Sequence, residues 1–188
     1  MLIALAIALG LIGAKLLGAD LTRLAALKFR GTWLVFLALA GQLAIFTRYA
    51  PTIPEPAEIS VHLASYLLLL LFLVLNIRLR GLWITATGFA CNTLVIFANG
   101  GRMPVSADAW IEGGGKPLTG EADVYNNVAV ADTGTRLRWL GDSISLPHQV
   151  PLASAVSIGD ILLIVGTIAF VYRACGPADR YTARQPTA

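Results

Sequence analysis

Residues Val156–Tyr172 read VSIGDILLIVGTIAFVY. A serine and an aspartate three positions apart lead into a run with no further charge. An apolar stretch of about 17 to 25 residues can cross a hydrocarbon core as a helix. The Ser157-x-x-Asp160 step has the form of a capping box, and an acid in the first turn complements the helix dipole. The stretch therefore reads as a membrane helix with a carboxyl at its mouth. An ionisable group that close to a bilayer is costly, so Asp160 is a functional candidate as well as a cap.

Four more runs of this kind precede it: Leu2–Gly18, Thr32–Thr47, Val61–Ile77 and Leu82–Ala98. A membrane barrel would show short alternating strands instead. The chain of 188 residues is 56% hydrophobic and 13% charged, with mean hydropathy +0.71. The expected fold class is all-α, a polytopic transmembrane bundle of five helices forming one domain over residues 1–175. A long extracytoplasmic loop, 99–155, comes before the last helix, and 176–188 form a disordered cytoplasmic tail.

Orientation follows from lysine and arginine. A signal peptide carries its basic residues before the apolar run, whereas Lys15, Arg23, Lys28 and Arg30 lie at or after the end of the first one. The first run is expected to stay as a helix with its N-terminus outside. Nine basic residues then fall on the cytoplasmic side and five outside. The chain is expected in the cell membrane, multi-pass, with its C-terminus cytoplasmic. Its net charge of +3 reflects basic flanks near anionic headgroups, so membrane lipids are expected partners and nucleic acid is not.

The 99–155 loop holds six acids against four basic residues, with Gly113-Gly114-Gly115 marking a turn or open loop. Val124–Val130 is a strand candidate and Arg136–Leu140 a short helical turn. Cys91 and Cys175 sit at different depths, which argues against a disulfide. His62 and His148 have no ligand-like spacing, and no phosphate or dinucleotide loop is present. No metal and no cofactor is expected.

In the fourth run Thr85, Gly88, Asn92 and Asn99 share a helical face. Small and amide residues there suit contact between helices. Asn99 opens Asn99-Gly100-Gly101-Arg102, where two readings stand. One is a helix C-cap followed by a snorkelling arginine. The other makes Arg102 a holder of a carboxylate or lipid phosphate.

Three stretches, GFACNTLVIFANGGRMPVS (88–106), TRLRWLGDSISLP (135–147) and SIGDILLIVG (157–166), resemble a family of bacterial multi-pass membrane proteins known as a domain of unknown function. The resemblance is clearest from Asn76 onward. It implies an inner-membrane protein and no particular activity.

A fainter, local similarity is to the lipoprotein signal peptidases, membrane aspartic proteases with two catalytic aspartates. Leu140-Gly141-Asp142-Ser143-Ile144 looks like the string around one of them. Ser157-Ile158-Gly159-Asp160, with Gly166 six residues on, looks like the string that opens their last helix. Asn99-Gly100-Gly101 is weakly similar to their Asn-x-Gly element. The Gly-Asn-x-x-Asp-Arg element is not intact, since Asp132 and Arg136 are only loose counterparts. Ser157 replaces an asparagine, and the helix count differs. The similarity implies Asp142 and Asp160 as catalytic residues, with Asn99, Arg102 and Arg136 as substrate-binding residues. The substrate would be a membrane-anchored protein or peptide. Two close carboxyls share a proton, so one can activate water while the other polarises a carbonyl. The alternative is a non-catalytic scaffold or binding protein that uses the 99–155 loop. Transport is disfavoured, because the apolar cores carry little beyond Gln42, Cys91 and Asn92.

Overall fold

The structure is a computed structural model, and it describes residues 11–12, 15–16, 20–46, 53–113, 128–145 and 155–175. Most of these are helical. The helices are α1 (Thr22–Ala25), α2 (Thr32–Phe46), α3 (Glu55–Leu75), α4 (Leu82–Ala98), α5 (Ala107–Glu112) and α6 (Ile158–Cys175). Between α4 and α6 lie β1 (Met103–Val105), β2 (Val128–Val130), a 3-10 turn (Arg138–Leu140), β3 (Ile144–Ser145) and β4 (Ala155–Val156).

Among the described residues, α3 and α6, of 21 and 18 residues, are long and apolar enough to cross a membrane. The apolar helices α2 and α4 are shorter, at 15 and 17 residues. Of the expected first run Leu2–Gly18, residues 11–12 and 15–16 are helical, and the rest lies outside the described residues. So does the 176–188 tail.

Two helix starts differ from expectation, and two ends as well: α3 stops at Leu75 rather than Ile77, and α6 runs to Cys175 rather than Tyr172. α3 starts at Glu55 rather than Val61, because the proline-rich approach supplies a helix start. Pro54 is its N-cap, a proline occupies the first turn, and Glu55 and Glu58 complement the dipole there. The last helix starts at Ile158 rather than Val156, because Ser157 caps it and Val156 belongs to β4. The all-α expectation is also modified in the 99–155 segment. There β1 pairs with β2 in parallel, with Val105 opposite Val130, and β3 pairs with β4 antiparallel. Of the strand candidate Val124–Val130, residues 128–130 form β2.

Successive long helices run antiparallel. Asn76 follows α3 and ties it to the start of α2. Its side-chain amide donates to the Arg30 carbonyl and its carbonyl accepts from the Arg30 N–H, both at 2.8 Å. α6 lies against α4 along a glycine seam. A Cβ on Gly88 would come within 2.6 Å of the Gly159 carbonyl oxygen, and one on Gly166 within 2.3 Å of the Thr85 nitrogen. Thr85, Gly88 and Asn92 therefore face a neighbouring helix, as their spacing predicts. Leu73, Leu82, Ala86, Phe89 and Leu163 form the core where α3, α4 and α6 meet. Phe36, Leu67, Leu94 and Val165 point outward and are at least half exposed. Such a coat on every long helix suits hydrocarbon better than water.

These packings sort the basic residues by end. A Cβ on Gly31 would meet Leu75 and one on Gly81 the Phe170 backbone, and the Asp20 N–H bonds the Cys175 carbonyl at 2.8 Å. Arg23, Lys28, Arg30, Arg78, Arg80 and Arg173 accordingly share one end of the bundle. Arg102, Arg136 and Arg138 lie at the other, with Asp142 and the start of α6.

Candidate functional site

The mouth of α6 is a reciprocal capping box. The Asp160 N–H donates to the Ser157 Oγ at 3.0 Å, and the Ser157 N–H donates to Asp160 Oδ2 at 3.0 Å. A third partner comes from α4: the Asn92 amide donates to Asp160 Oδ1 at 2.8 Å. The Ser157 hydroxyl lies 2.8 Å from Asp160 Oδ2 and 3.0 Å from Asn92 Oδ1, and can donate to one at a time. Ser157 is fully buried and Asn92 nearly so. Gly159 is required here, because a Cβ on it would sit 1.9 Å from Asn92 Oδ1.

Asp142 is positioned by backbone pairing. Its N–H donates to the Pro104 carbonyl and its carbonyl accepts from the Ser106 N–H, both at 2.9 Å. This bridge puts Asp142 beside Val105, so β1 is flanked by β2 on one side and Asp142 on the other. Gly141 allows the approach: a Cβ there would meet the Pro104 carbonyl oxygen at 2.5 Å. Asp142 Oδ1 is buried and has no hydrogen-bond partner among the described residues. Burial, reinforced by the charge of Asp160, pushes this carboxyl up to about 8. Tyr66 of α3, stacked on Phe89 at 5.3 Å, lies within electrostatic reach of both carboxyls.

The other three expected site residues are placed differently. Asn99 ends α4, and the Gly101 N–H reaches back to the Ile96 carbonyl at 2.9 Å. With Gly100 and Gly101 at φ +67 and +91, this is a Schellman ending, the C-cap reading of that motif. The Asn99 side chain accepts from the Arg136 N–H and donates to the Arg136 carbonyl, both at 2.9 Å. It thus pins the 136–142 segment to the end of α4. Arg102 pairs with Glu55 at the start of α3, at 2.5 Å. Asn99 and Arg102 line an open cavity of about 270 Å³ with Pro104, Val130, Asp132 and Thr135. Among its described lining residues are neither Arg136 nor Asp142 nor Asp160.

A buried polar group between α2 and α3 escaped sequence reasoning. The Gln42 amide contacts the Ser65 hydroxyl and lies 3.3 Å from His62 Nδ1. Ser65 Oγ donates to the His62 carbonyl at 2.6 Å. The only available signal was Gln42 in one apolar run and His62 and Ser65 in the next. Among the described residues, no three His, Cys, Asp or Glu side chains come together as a metal site needs.

The family profile that covers this site and the helices around it matches residues 26–172. The chain belongs to DUF5317, a family of unknown function. No curated protein and no solved structure matches it. The DUF5317 match takes in α2, α3, α4, both strand ladders and all but the last residues of α6. Every residue of the capping box and of the Asp142 bridge is inside it.

Proposed function

We propose that this protein is a multi-pass membrane protein whose Asp142 and Asp160 act as a proton-sharing carboxyl pair. The pair resembles that of an aspartic peptidase and sits at the outer interface. Five helices cross the membrane, with the N-terminus outside and the C-terminus cytoplasmic. The gathering of six basic residues at one end of the bundle supports that orientation. The observation that supports the enzymatic reading is the buried Asp142 carboxyl, with Oδ1 unpartnered among the described residues, within electrostatic reach of Asp160 and pushed up to about 8.

In this reading Asp142 is the acid and Asp160 the base. Asp160 is oriented by Asn92 and Ser157. It takes a proton from a water molecule, whose oxygen attacks a scissile carbonyl polarised by the Asp142 O–H. The Asp142 proton moves to the carbonyl oxygen. The proton held by Asp160 goes to the leaving amine as the carbon–nitrogen bond breaks, and one hydroxyl of the intermediate returns its proton to Asp142, leaving a carboxylic acid product. The substrate class is a membrane-anchored protein or peptide, which shares the bilayer with the site.

The test uses the full chain in liposomes with lipid-anchored fluorogenic peptides, plus binding of a statine-type peptide that mimics the tetrahedral intermediate. Cleavage lost in both Asp142→Asn and Asp160→Asn, with abundance intact, supports the pair. Cleavage retained in either variant rejects it.

A second reading is a non-catalytic scaffold. It is favoured by one observation: both Asp160 oxygens already have partners, Asn92 on Oδ1 and Ser157 on Oδ2. There Asp160→Asn lowers abundance, and neither peptide is cleaved nor analogue bound.

A further inference from the structure

At the end of the bundle away from Asp160, four arginines from three separate elements surround one cavity of about 380 Å³. Arg23 comes from α1, Arg78 and Arg80 from the turn between α3 and α4, and Arg173 from the last turn of α6. The rest of its described wall is apolar, with Leu27 and Phe170 prominent, and holds no acid. Arg23 also faces Asp20 at 3.8 Å, and Arg80 and Arg173 make further interactions of their own.

Four guanidinium groups lining an apolar-floored cavity give it a positive field that attracts an anion. Guanidinium groups suit phosphate oxygens because they present paired donors in a fixed fork. Depth supplies a second, independent observation. Trp33 and Trp83 open α2 and α4 at this same end and are 64% and 55% exposed. Exposed tryptophans at helix ends are a feature of the headgroup level of a bilayer. The cavity therefore opens where phosphate esters are concentrated.

We infer that the Arg23–Arg78–Arg80–Arg173 cavity is a binding site for a phosphate-ester anion. This site is separate from the Asp142–Asp160 pair and stands whether or not that pair is catalytic. The same chemistry is offered by the headgroup of an acidic phospholipid and by a free phosphorylated metabolite.

The test uses the full-length protein in a non-ionic detergent, with binding followed by native mass spectrometry and thermal shift. The probes are phosphatidylglycerol, phosphatidylcholine and glycerol 3-phosphate. Phosphatidylglycerol should bind about tenfold more tightly than phosphatidylcholine, and Arg78→Gln with Arg80→Gln should remove that preference. Competition by glycerol 3-phosphate assigns the site to free esters, and lack of competition to lipid. Arg102→Gln at the opposite end should leave the preference intact. Equal affinity for the two lipids overturns the site. So does an unchanged preference in the double variant, or an equal loss in Arg102→Gln. If the double variant fails to fold, the wild type decides. Raising salt from about 0.05 M to about 0.5 M should then abolish the preference, and a salt-independent preference rejects the site.

Discussion

Asn92 of α4 donates a hydrogen bond of 2.8 Å to Asp160 of α6, 68 residues further along the chain. The same asparagine lies 3.0 Å from the Ser157 hydroxyl, so one amide serves both members of the capping box. Asn92→Ala leaves buried polar atoms on α6 without that partner. The expected loss is about 1–3 kcal/mol. It should appear as a lower melting temperature of the purified protein, with Asn92→Asp worse still because it sets a second carboxyl against Asp160.

The glycines should separate by mechanism. Gly159→Ala drives a Cβ into Asn92 Oδ1, and Gly166→Ala drives one into the α4 backbone. Each should cost about 1–3 kcal/mol by overpacking. Gly100→Ala meets nothing within 4 Å but must hold φ +67, so its loss should be nearer about 1 kcal/mol, from backbone strain alone. Thermal unfolding of the three variants side by side checks the order.

Asp142 predicts a pH dependence of defined sign. Its folded-state value of about 8 lies above the ordinary carboxyl value of 3.8, so between these limits the folded chain binds more protons than the unfolded one. Stability contributed by this group is therefore full at acid pH. It falls as pH rises through the window and levels off above about 8. Asp142→Asn, neutral throughout, should raise the melting temperature at pH 8 relative to wild type and flatten the profile between pH 5 and 8. The same variant should lose any peptide cleavage. A carboxyl resonance of Asp142 titrating near pH 4 contradicts both expectations.

The Arg102–Glu55 pair is partly exposed, with side chains 34% and 65% accessible. Glu55→Gln should cost less than about 1 kcal/mol and become silent at high salt. Asn99→Ala removes three side-chain hydrogen bonds, to the Arg136 N–H and to the Arg136 and Val95 carbonyls, and should cost more. Limited proteolysis around residue 136 reports the difference.

The helices were legible because apolar runs and capping residues are local. Ser157-x-x-Asp160, the Asn99-Gly100-Gly101 ending and the Thr85–Gly88–Asn92 face each depend on spacings within a few turns. The start of α3 was missed because Pro54, Glu55 and Pro56 resemble a loop until one sees that proline is tolerated in a first turn. Pairings between distant segments were not readable. β1 and β2 align in parallel across an intervening helix, and Arg102 meets Glu55 from 47 positions away. Asn92 could be assigned to a helix contact, but its partner depends on how α6 folds back.

The glycine seam between α4 and α6 decides where motion is possible. Backbone meets backbone at Gly88, Gly159 and Gly166, so neither helix can slide past the other without a steric collision. Asp160 is held within this seam by its hydrogen bond from Asn92. Asp142 hangs instead from β1 by two main-chain hydrogen bonds. In the proposed carboxyl pair, Asp142 is thus the member held by a strand and its turn, and Asp160 the member held within the helix packing.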